Sequence, residues 1–395
     1  MKKEKVIIAF SGGLDTSYCV KYLSEELGLE VHTAVVNTGG FSEKELLEIK
    51  ERAISLGALT HKSIDQIDNF YNKSIKYLVY GNVLKNNTYP LSVSAERIFQ
   101  GMAIAEYAKE IEANYIAHGS TGAGNDQVRF DLAFSIIAPE IKVLTPIRDQ
   151  KLSRQAEIEF LAKHGVNTSW EKAKYSINKG LWGTSVGGEE TLASNLTLPD
   201  SAYPSQLSKS ASETIRITFE KGEISGLNGE EMNPILAIQT LNELAGQYAI
   251  GRDIHVGDTI IGIKGRVGFE AAAPLIIIKS HELLEKHTLT KWQIYWKEQL
   301  ANWYGMQLHE GQYLDPTLRN IESFLEDTQT TVSGEVIVKL SPYQFTLQGI
   351  ESTHDLMNSK FGDYGEMNNA WSGEDVKGFT KILSNQTKIY HAVNN

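Results

Sequence analysis

The sequence predicts an α/β protein in which a doubly wound parallel sheet is followed by a second, α+β domain and by a C-terminal helical extension. Up to about residue 165, short β-branched runs alternate with helical patterns, which is typical of βαβ units and a parallel sheet. Beyond that point strands and helices follow one another in a different order, and after Ile350 the sequence becomes polar. We therefore expect three segments, at residues 1–170, 171–350 and 351–395.

The first strand and helix are predicted at residues 6–10 and 17–27. Residues 6–10 are an unbroken apolar run, as in a strand buried on both faces. The helix would place Val20, Leu23 and Leu27 on one apolar face. The other elements predicted in this half are a strand at 31–36, a helix from a capping box of Ser42 and Glu45 to Leu56, a helix at 94–111, strands at 115–117 and 141–144, and a helix from Ser153 to His164.

The second half begins with a different pattern. Ile215, Ile217 and Phe219 alternate with polar residues, as in a half-exposed strand. Asn233 followed by Pro234 indicates the start of a helix, with an N-cap and a proline in the first helical position. The other elements predicted in this half are strands at 259–263 and 332–340, a helix at 291–303 and a last helix at 375–383.

The helix predicted at 291–303 carries Trp292, Trp296 and Trp303 at helical spacing. Such a stripe more often packs in a core or at a subunit contact than stacks on a ligand. We expect one of the first two roles.

Composition limits the possible functions. Hydrophobic residues make up 41% and charged residues 22%, which excludes a disordered chain. The net charge of -11 argues against non-specific binding of nucleic acid, because phosphate backbones would be repelled. The single cysteine, Cys19, forms no internal disulfide and is expected to be a small buried residue. With no apolar run near the roughly 18 residues of a membrane span, we expect a cytoplasmic protein that binds no membrane.

Three polar, glycine-bearing loops follow predicted strands, at residues 11–17, 37–40 and 119–126. In a parallel sheet the carboxyl ends of the strands meet at one edge, and ligands bind in the crevice there. We therefore expect all three loops to face one crevice.

The first of these loops, Ser-Gly-Gly-Leu-Asp-Thr-Ser at 11–17, lies between a strand and a helix. Glycines let the backbone approach an anion, and the helix N-terminus favours negative charge, so the loop predicts a phosphate cradle. It lacks the Gly-Lys-Ser/Thr ending of a Walker A site, so transfer of a γ-phosphoryl group is not indicated. A carboxylate beside phosphates is repulsive unless a cation lies between them, so Asp15 implies Mg²⁺. The alternative is a plain glycine turn with a capping serine.

Residues 9–17 resemble the pyrophosphate loop of the N-type ATP pyrophosphatases and, among these, that of the argininosuccinate synthase family. A second and far more specific similarity covers 118–130, His-Gly-Ser-Thr-Gly-Ala-Gly-Asn-Asp-Gln-Val-Arg-Phe. The similarity extends to Tyr-Ser-Ile-Asn at 175–178, with Ser185 nine residues after Ser176. It also includes Gly251-Arg252 and Gly262-Ile263-Lys264.

This resemblance implies a ligase of arginine biosynthesis. Members of the family condense citrulline with aspartate through a citrullyl-AMP intermediate, and ATP is converted to AMP and diphosphate. The resemblance further implies that the first domain binds the nucleotide, that the second is a synthetase and oligomerisation domain, and that the enzyme is a homotetramer that needs Mg²⁺.

The resemblance also implies which residues bind each substrate. The ATP site would comprise Ala9, Phe10, Ser11, Gly12, Gly13, Leu14, Asp15, Thr16, Ser17, Val36 and Gly119. The aspartate site would comprise Thr121, Asn125 and Asp126. The citrulline site would comprise Tyr89, Ser94, Asn125, Arg129, Ser176 and Ser185. Catalytic roles fall to Asp15, which would position Mg²⁺ and pyrophosphate, and to Asp126, which would hold the substrate ammonium.

Simpler roles remain open for several of these residues. Residues 121–124 could form only a flexible turn, and Asn125 and Asp126 only a helix cap. Ser176 and Ser185, taken singly, could be N-caps. His118 could act as an acid or base, although a histidine satisfied by backbone groups is the favoured interpretation.

Other functions with a similar loop can be weighed against the composition. A tRNA sulfurtransferase would need reactive cysteines and a basic surface, and a glutamine amidotransferase would need a cysteine nucleophile. A single cysteine and a net charge of -11 argue against the sulfurtransferase, and the position of Cys19, just inside the first predicted helix, argues against the amidotransferase. A non-catalytic ATP-binding sensor remains the alternative, and it would not need residues 121–129.

Two positions depart from the better-known members of the family, which have a Glu and a Tyr that contact citrulline where this chain has Gly257 and Phe269. Leaving the substrate's ammonium group without an acceptor would cost about 1–3 kcal/mol. Asp258 could supply the missing carboxylate, or backbone carbonyls and water could suffice. Glu270, next to Phe269, has a counterpart in the family and is expected to be structural.

Overall fold

The computed structural model describes residues 3–168, 170, 174–358 and 370–395, and these residues form three β-sheets. The first sheet lies in the N-terminal part, and its strands are all parallel in the order β3-β2-β1-β4-β5. Its strands are β1 (Lys5–Ala9), β2 (Glu30–Asn37), β3 (Thr60–Asp65), β4 (Tyr115–Ala117) and β5 (Lys142–Leu144). The chain proceeds outward from β1 in both directions, so the strand order reverses beside β1, and a ligand crevice is expected there.

Helices cover this parallel sheet. They are α1 (Leu14–Lys21), α2 (Glu43–Ser55), α3 (Ile67–Phe70), α4 (Lys76–Tyr80), α5 (Glu96–Glu110), α6 (Asp126–Ile137), α7 (Pro146–Gln150) and α8 (Arg154–Lys163). The predicted capping box is present, because Ser42 accepts from the backbone of Glu45 while the Glu45 side chain accepts from the backbone of Ser42. Ser153 caps α8 by accepting from Ala156 N at 3.3 Å. The predicted doubly wound α/β fold is confirmed.

The remaining chain contains two antiparallel sheets and six α-helices among the described residues. One has the order β10-β9-β8-β13-β14 and the other the order β11-β12-β7-β6. Their strands are β6 (Ser176–Gly180), β7 (Gly183–Gly187), β8 (Glu213–Glu220), β9 (Glu223–Leu227), β10 (Glu230–Glu231), β11 (Arg252–Asp258), β12 (Lys264–Glu270), β13 (Gly334–Ser341) and β14 (Gln344–Glu351). The accompanying helices are α9 (Pro234–Gly246), α10 (Ala272–Thr288), α11 (Lys291–His309), α12 (Pro316–Thr328), α13 (Gly373–Leu383) and α14 (Asn385–Asn394).

Several predictions about single elements are wrong. Residues 259–263 are not a strand but the turn between β11 and β12, closed by Thr259 N donating to Ile263 O at 2.8 Å. The helix over 373–383 is not the last, since α14 follows it. Leu27 is 47% exposed, because the chain leaves α1 through a π-helical turn before reaching it. The predicted boundary at residue 171 lies outside the described residues.

The predicted tryptophan stripe lies on α11 but outside the core of the chain. Trp292, Trp296 and Trp303 are 65%, 58% and 51% exposed. This excludes the core role that the helical spacing left open, and a subunit contact remains.

Specific contacts position the β6–β7 hairpin against the parallel sheet. Leu181 N donates to Thr38 O at 3.1 Å, and the buried Trp182 donates from Nε1 to Pro90 O at 2.9 Å. A Cβ on Gly40 would lie 2.0 Å from the carbonyl oxygen of Lys179, so the two backbones touch. The hairpin thereby forms a wall beside the carboxyl ends of the parallel strands.

Within the described residues, no helix has both the length and the apolar content needed to cross a membrane.

Candidate functional site

A cleft of about 1210 Å³ opens between the carboxyl ends of the parallel strands and the sheet that contains β6, β7, β11 and β12. Each of the three loops, at 11–17, 37–40 and 119–126, contributes residues to its lining, as predicted. All the substrate residues named from the sequence also line it, except Gly12 and Ser17. The structure therefore brings the three predicted binding sites into one cleft, while their ligands stay predictions.

The first loop turns sharply at Gly12, whose φ of 80° is a left-handed conformation that favours glycine. Arg52 donates from Nη1 to Gly12 O at 2.6 Å and so fixes the turn. Gly13 then forms the N-cap of α1, where the first N–H groups of a helix have no intrahelical acceptor. The hydroxyl of Ser17 is buried and donates to Gly13 O at 2.7 Å, so this side chain holds the loop together from behind.

The second motif approaches the first loop at Gly119. A Cβ placed on Gly119 would lie 3.2 Å from Thr16 N and 3.3 Å from Asp15 Cβ. Because any side chain at 119 would push against the start of α1, glycine lets the two loops face a common space. Asp15 itself lies in the first turn of α1 and lines the cleft.

Asp126, the first residue of α6, is held by two arginines. Arg97 donates from Nε to Oδ2 at 3.2 Å, and Arg129 donates from Nη1 to Oδ1 at 3.0 Å. Burial alone would raise the pKa of Asp126, but attraction to Arg97 and Arg129 outweighs it and lowers the pKa. The carboxylate is therefore ionised, and its side chain remains 45% exposed to the cleft.

Sequence reasoning missed Arg97 and its neighbour Glu96. Glu96 is buried. It accepts hydrogen bonds from the Thr38 hydroxyl at 2.8 Å and from Nη1 of Arg97 at 2.9 Å. Burial raises the pKa of Glu96 to about 7, with Arg97 and the Thr38 hydroxyl opposing the shift. The only sequence signal was a charged pair at the start of a largely apolar helix.

Arg129 is anchored as well as facing the cleft. Nε and Nη2 donate to the carbonyl oxygen of His309, at 2.9 and 2.7 Å, where α11 ends. Two of its nitrogens therefore bind a helix C-terminus, which favours a cation. Each Nη atom carries two hydrogens, so the guanidinium retains donors for a substrate carboxylate.

The predicted citrulline residues line the cleft from elements outside the first loop. Tyr89 is buried, and its ring stacks on His255 at 5.0 Å and lies 5.4 Å from Phe269. The Ser94 hydroxyl is buried and has no partner among the described residues, as expected of a group that waits for a ligand. Ser176 and Ser185 lie on β6 and β7 and are not helix N-caps.

Two histidines that the sequence did not single out also line the cleft. Burial, with a contribution from Lys85, lowers the pKa of His255 to about 4. Burial, with contributions from Arg129 and Lys85, lowers the pKa of His309 to about 2. Both rings are therefore neutral at pH 7, and each has an Nδ1 without a partner among the described residues.

Gly257, one of the two positions that depart from the expected pattern, lies beside His255. A Cβ on Gly257 would be 2.7 Å from His255 Nε2, so the ring occupies part of the space beside this glycine. Asp258 lines the cleft, is paired with Lys264 at 2.8 Å and is 64% exposed. Glu270 is buried and pairs with Arg252 at 3.0 Å, the structural role expected for it.

His118 and Cys19 take structural positions. His118 is buried, accepts from Ser120 N at 3.2 Å and contacts Asp131 at 3.0 Å through Nε2. The expected backbone contact is present, together with a carboxylate that the sequence did not predict. Cys19 is buried, and burial raises the pKa of its thiol, so a thiolate nucleophile is disfavoured.

Comparison with known proteins gives two family matches that together span most of the chain. The arginosuccinate synthase N-terminal HUP domain matches residues 5–167, and the arginosuccinate synthase C-terminal domain matches residues 175–390. Among curated relatives, the argininosuccinate synthase of Dictyoglomus turgidum is 35% identical over 99% of this chain and 98% of its own length. Those of Methanocaldococcus jannaschii and Pyrococcus furiosus are 33% and 35% identical, over 97% and 98% of this chain and 97% and 94% of their own.

Proposed function

The chain belongs to the argininosuccinate synthase family, and we propose that it performs this family's reaction with the residues of the cleft described above. The enzyme is an ATP-dependent ligase of arginine biosynthesis that joins citrulline to aspartate. The observation that supports the assignment of the cleft is that the predicted ATP, aspartate and citrulline residues, except Gly12 and Ser17, line one common space.

ATP is proposed to bind at the first loop, with its β- and γ-phosphates at the N-terminus of α1. The unpaired N–H groups there and the turn at Gly12 suit an anion. The ureido oxygen of citrulline attacks the α-phosphorus, the bond to the bridging oxygen breaks, and pyrophosphate leaves. The aspartate amine then attacks the ureido carbon, and AMP leaves with the former ureido oxygen.

Mg²⁺ is proposed to accompany ATP, with Asp15 as a protein ligand. Carboxylate oxygen is the donor that this cation prefers, and Asp15 lies in the first turn of α1 beside the expected phosphates. Among the residues the structure describes, no group of three or more His, Cys, Asp or Glu side chains could hold a metal ion by itself. Phosphate oxygens and water would therefore complete the coordination. When bound, the cation neutralises charge on the leaving pyrophosphate.

Asp126 and its loop are proposed to bind aspartate. The ionised carboxylate of Asp126 suits the ammonium group, and Thr121 offers a hydroxyl group to the same substrate. Asn125 accepts from Ile260 N at 2.9 Å, which ties this loop to the β11–β12 turn. Its amide nitrogen stays available for a substrate carboxylate.

Citrulline is proposed to lie between Tyr89, Ser94, Arg129, Ser176 and Ser185. Arg129 provides a cation for the α-carboxylate. The unpaired hydroxyl of Ser94 provides a further polar group inside the cleft. This placement directs the ureido group toward the ATP site.

A homotetramer in the cytoplasm is proposed as the working form. Helices α13 and α14 contain no buried residue, and Phe379, Ile382 and Val393 are 64%, 71% and 77% exposed. Exposed apolar surface of this kind marks protein contacts, and Trp292 and Trp296 on α11 add to it. The lone, buried Cys19 fits a reducing compartment.

Release of pyrophosphate from ATP tests the proposal. We expect release only when citrulline is present, and argininosuccinate as product once aspartate is added. ATP binding without pyrophosphate release under these conditions would favour a non-catalytic ATP sensor.

A further inference from the structure

A buried glutamate lies beside the phosphate loop without a full set of partners. Glu157 on α8 is 3% exposed, and its Oε2 has no hydrogen-bond partner among the described residues. Leaving a buried carboxylate oxygen unpaired is costly, so such an atom indicates a missing ligand.

The packing of α8 on α1 determines where this carboxyl group lies. The ring of Phe160 contacts that of Tyr18 at a centroid distance of 4.8 Å, and Leu161 is fully buried. Ser153 caps the helix one turn before Glu157. The backbone is therefore held rigidly, and the side chain is directed at the first turn of α1.

The group that Glu157 meets there is Asp15. The two carboxyl groups are within hydrogen-bonding reach of each other. Two carboxylates in one dry site repel each other unless a proton or a cation lies between them. Asp15 also lines the cleft, so a cation could reach this pair from the ATP side.

We propose that Glu157 acts with Asp15 as a two-carboxylate site for the divalent cation that accompanies the pyrophosphate end of ATP. Mg²⁺ is often held by one or two carboxylates together with substrate phosphates, which matches two protein ligands at the base of a phosphate loop. The inference rests on the proposed function, and it adds a second protein ligand for the cation, from an element far from the loop in sequence.

A purely structural role for Glu157 would be different. A protonated Glu157 could donate a hydrogen bond to Asp15 and hold it in place without meeting a cation. Glutamine has nearly the same shape and can still donate to Asp15 through its amide, but it has no anionic oxygen. Glu157→Gln therefore preserves the structural role and removes the proposed one.

The test measures Mn²⁺ as a spectroscopic substitute for Mg²⁺. Electron paramagnetic resonance would give the Mn²⁺ affinity of the full-length enzyme with a non-hydrolysable ATP analogue, and calorimetry would give its affinity for ATP in the presence of chelator. The exposed Glu159→Gln, two residues along α8, serves as the matched control.

Glu157→Gln is expected to weaken Mn²⁺ binding in the nucleotide complex at least tenfold, as ligand-shell changes do. Metal-free ATP binding should stay within about twofold, which also shows that the variant is folded, and Glu159→Gln should match the wild type. Unchanged Mn²⁺ affinity in Glu157→Gln would overturn the proposal.

A second variant guards against misfolding. Glu157→Asp keeps a carboxylate but draws it back from Asp15 by one methylene. This variant should bind Mn²⁺ more tightly than Glu157→Gln. If Glu157→Gln does not fold, the comparison is with the wild type, and Glu157→Asp should bind Mn²⁺ more weakly. Wild-type affinity in Glu157→Asp together with loss of folding in Glu157→Gln would assign a structural role and overturn the proposal. Pyrophosphate release by the wild-type enzyme is measured alongside, so that a failure of the proposed function is recognised separately.

Discussion

Arg97 donates from Nε to Oδ2 of Asp126 at 3.2 Å and so joins the start of α5 to the first residue of α6. The contact keeps the Asp126 carboxylate ionised at the mouth of the cleft. It also fixes the direction of the loop that precedes α6. The proposed aspartate site would therefore be built on two helices and not on a loop alone.

Asp126→Ala is expected to raise the KM for aspartate at least tenfold, about 1.4 kcal/mol, because the ammonium group loses its counter-charge. The affinity for ATP should change by less than about twofold, since Asp126 belongs to the motif at 118–130 and not to the phosphate loop at 11–17. Steady-state kinetics and equilibrium binding of ATP measure the two quantities. Glu140→Ala, exposed beyond the far end of α6, is the control. An unchanged aspartate KM would remove Asp126 from the substrate site.

Gly119→Ala is expected to weaken ATP binding at least tenfold. The added methyl group would lie 3.2 Å from Thr16 N and would press on the start of α1, where the phosphates are proposed to bind. Gly124→Ala is the matched control, because a Cβ at that position meets no atom within 4 Å. Calorimetric titration with ATP compares the two variants. Equal affinities would show that the approach of the two loops does not matter for the nucleotide.

Asp258→Asn is expected to weaken citrulline binding about tenfold, near 1.4 kcal/mol, and to leave aspartate and ATP unaffected. The carboxylate pairs with Lys264, but both side chains are exposed, so the pair contributes little and can be exchanged for a substrate ammonium. Direct binding of citrulline measures the effect. If the variant binds citrulline as the wild type does, backbone groups and water replace the missing family carboxylate.

The stability of the protein should fall as the pH is lowered from about 6.5 toward 4, in part because of His255. Burial lowers the pKa of this ring from 6.5 to about 4, so in this range the unfolded chain binds a proton that the folded state excludes. Between pH 7.5 and pH 5, the melting temperature of His255→Asn should therefore fall less than that of the wild type, by about 2 °C or more. His354→Gln, at an exposed position, should behave as the wild type. Identical slopes for His255→Asn and the wild type would contradict this account.

Much of the parallel sheet could be predicted because β1 contains an unbroken apolar run and β2 a largely apolar, β-branched one, each followed by a helical pattern. The strand β3 was missed, since as an edge strand it is polar and mostly exposed. Residues 259–263 were predicted as a strand for their isoleucines, yet Ile261 and Ile263 are 43% and 63% exposed in a turn. Turn geometry at Gly262, with a φ of 84°, outweighed hydrophobic pattern there.

The site was predictable where its residues are close together in sequence. The loops at 11–17 and 119–126 carry their chemistry in short motifs that follow strands, and the structure places both in one cleft. Arg97, His309 and Glu157 were not predicted, because each acts through a contact with a distant element. Such contacts depend on tertiary packing, which neither periodicity nor spacing reports.

The transfer of the ureido oxygen of citrulline tests the central claim most directly. The enzyme would be incubated with ATP, Mg²⁺, aspartate and citrulline labelled with ¹⁸O in the ureido group, and the products would be separated and analysed by mass spectrometry. Attack of the ureido oxygen on the α-phosphorus predicts one ¹⁸O atom in AMP and none in pyrophosphate. Label in pyrophosphate, formation of ADP, or unlabelled AMP formed together with argininosuccinate would contradict the account.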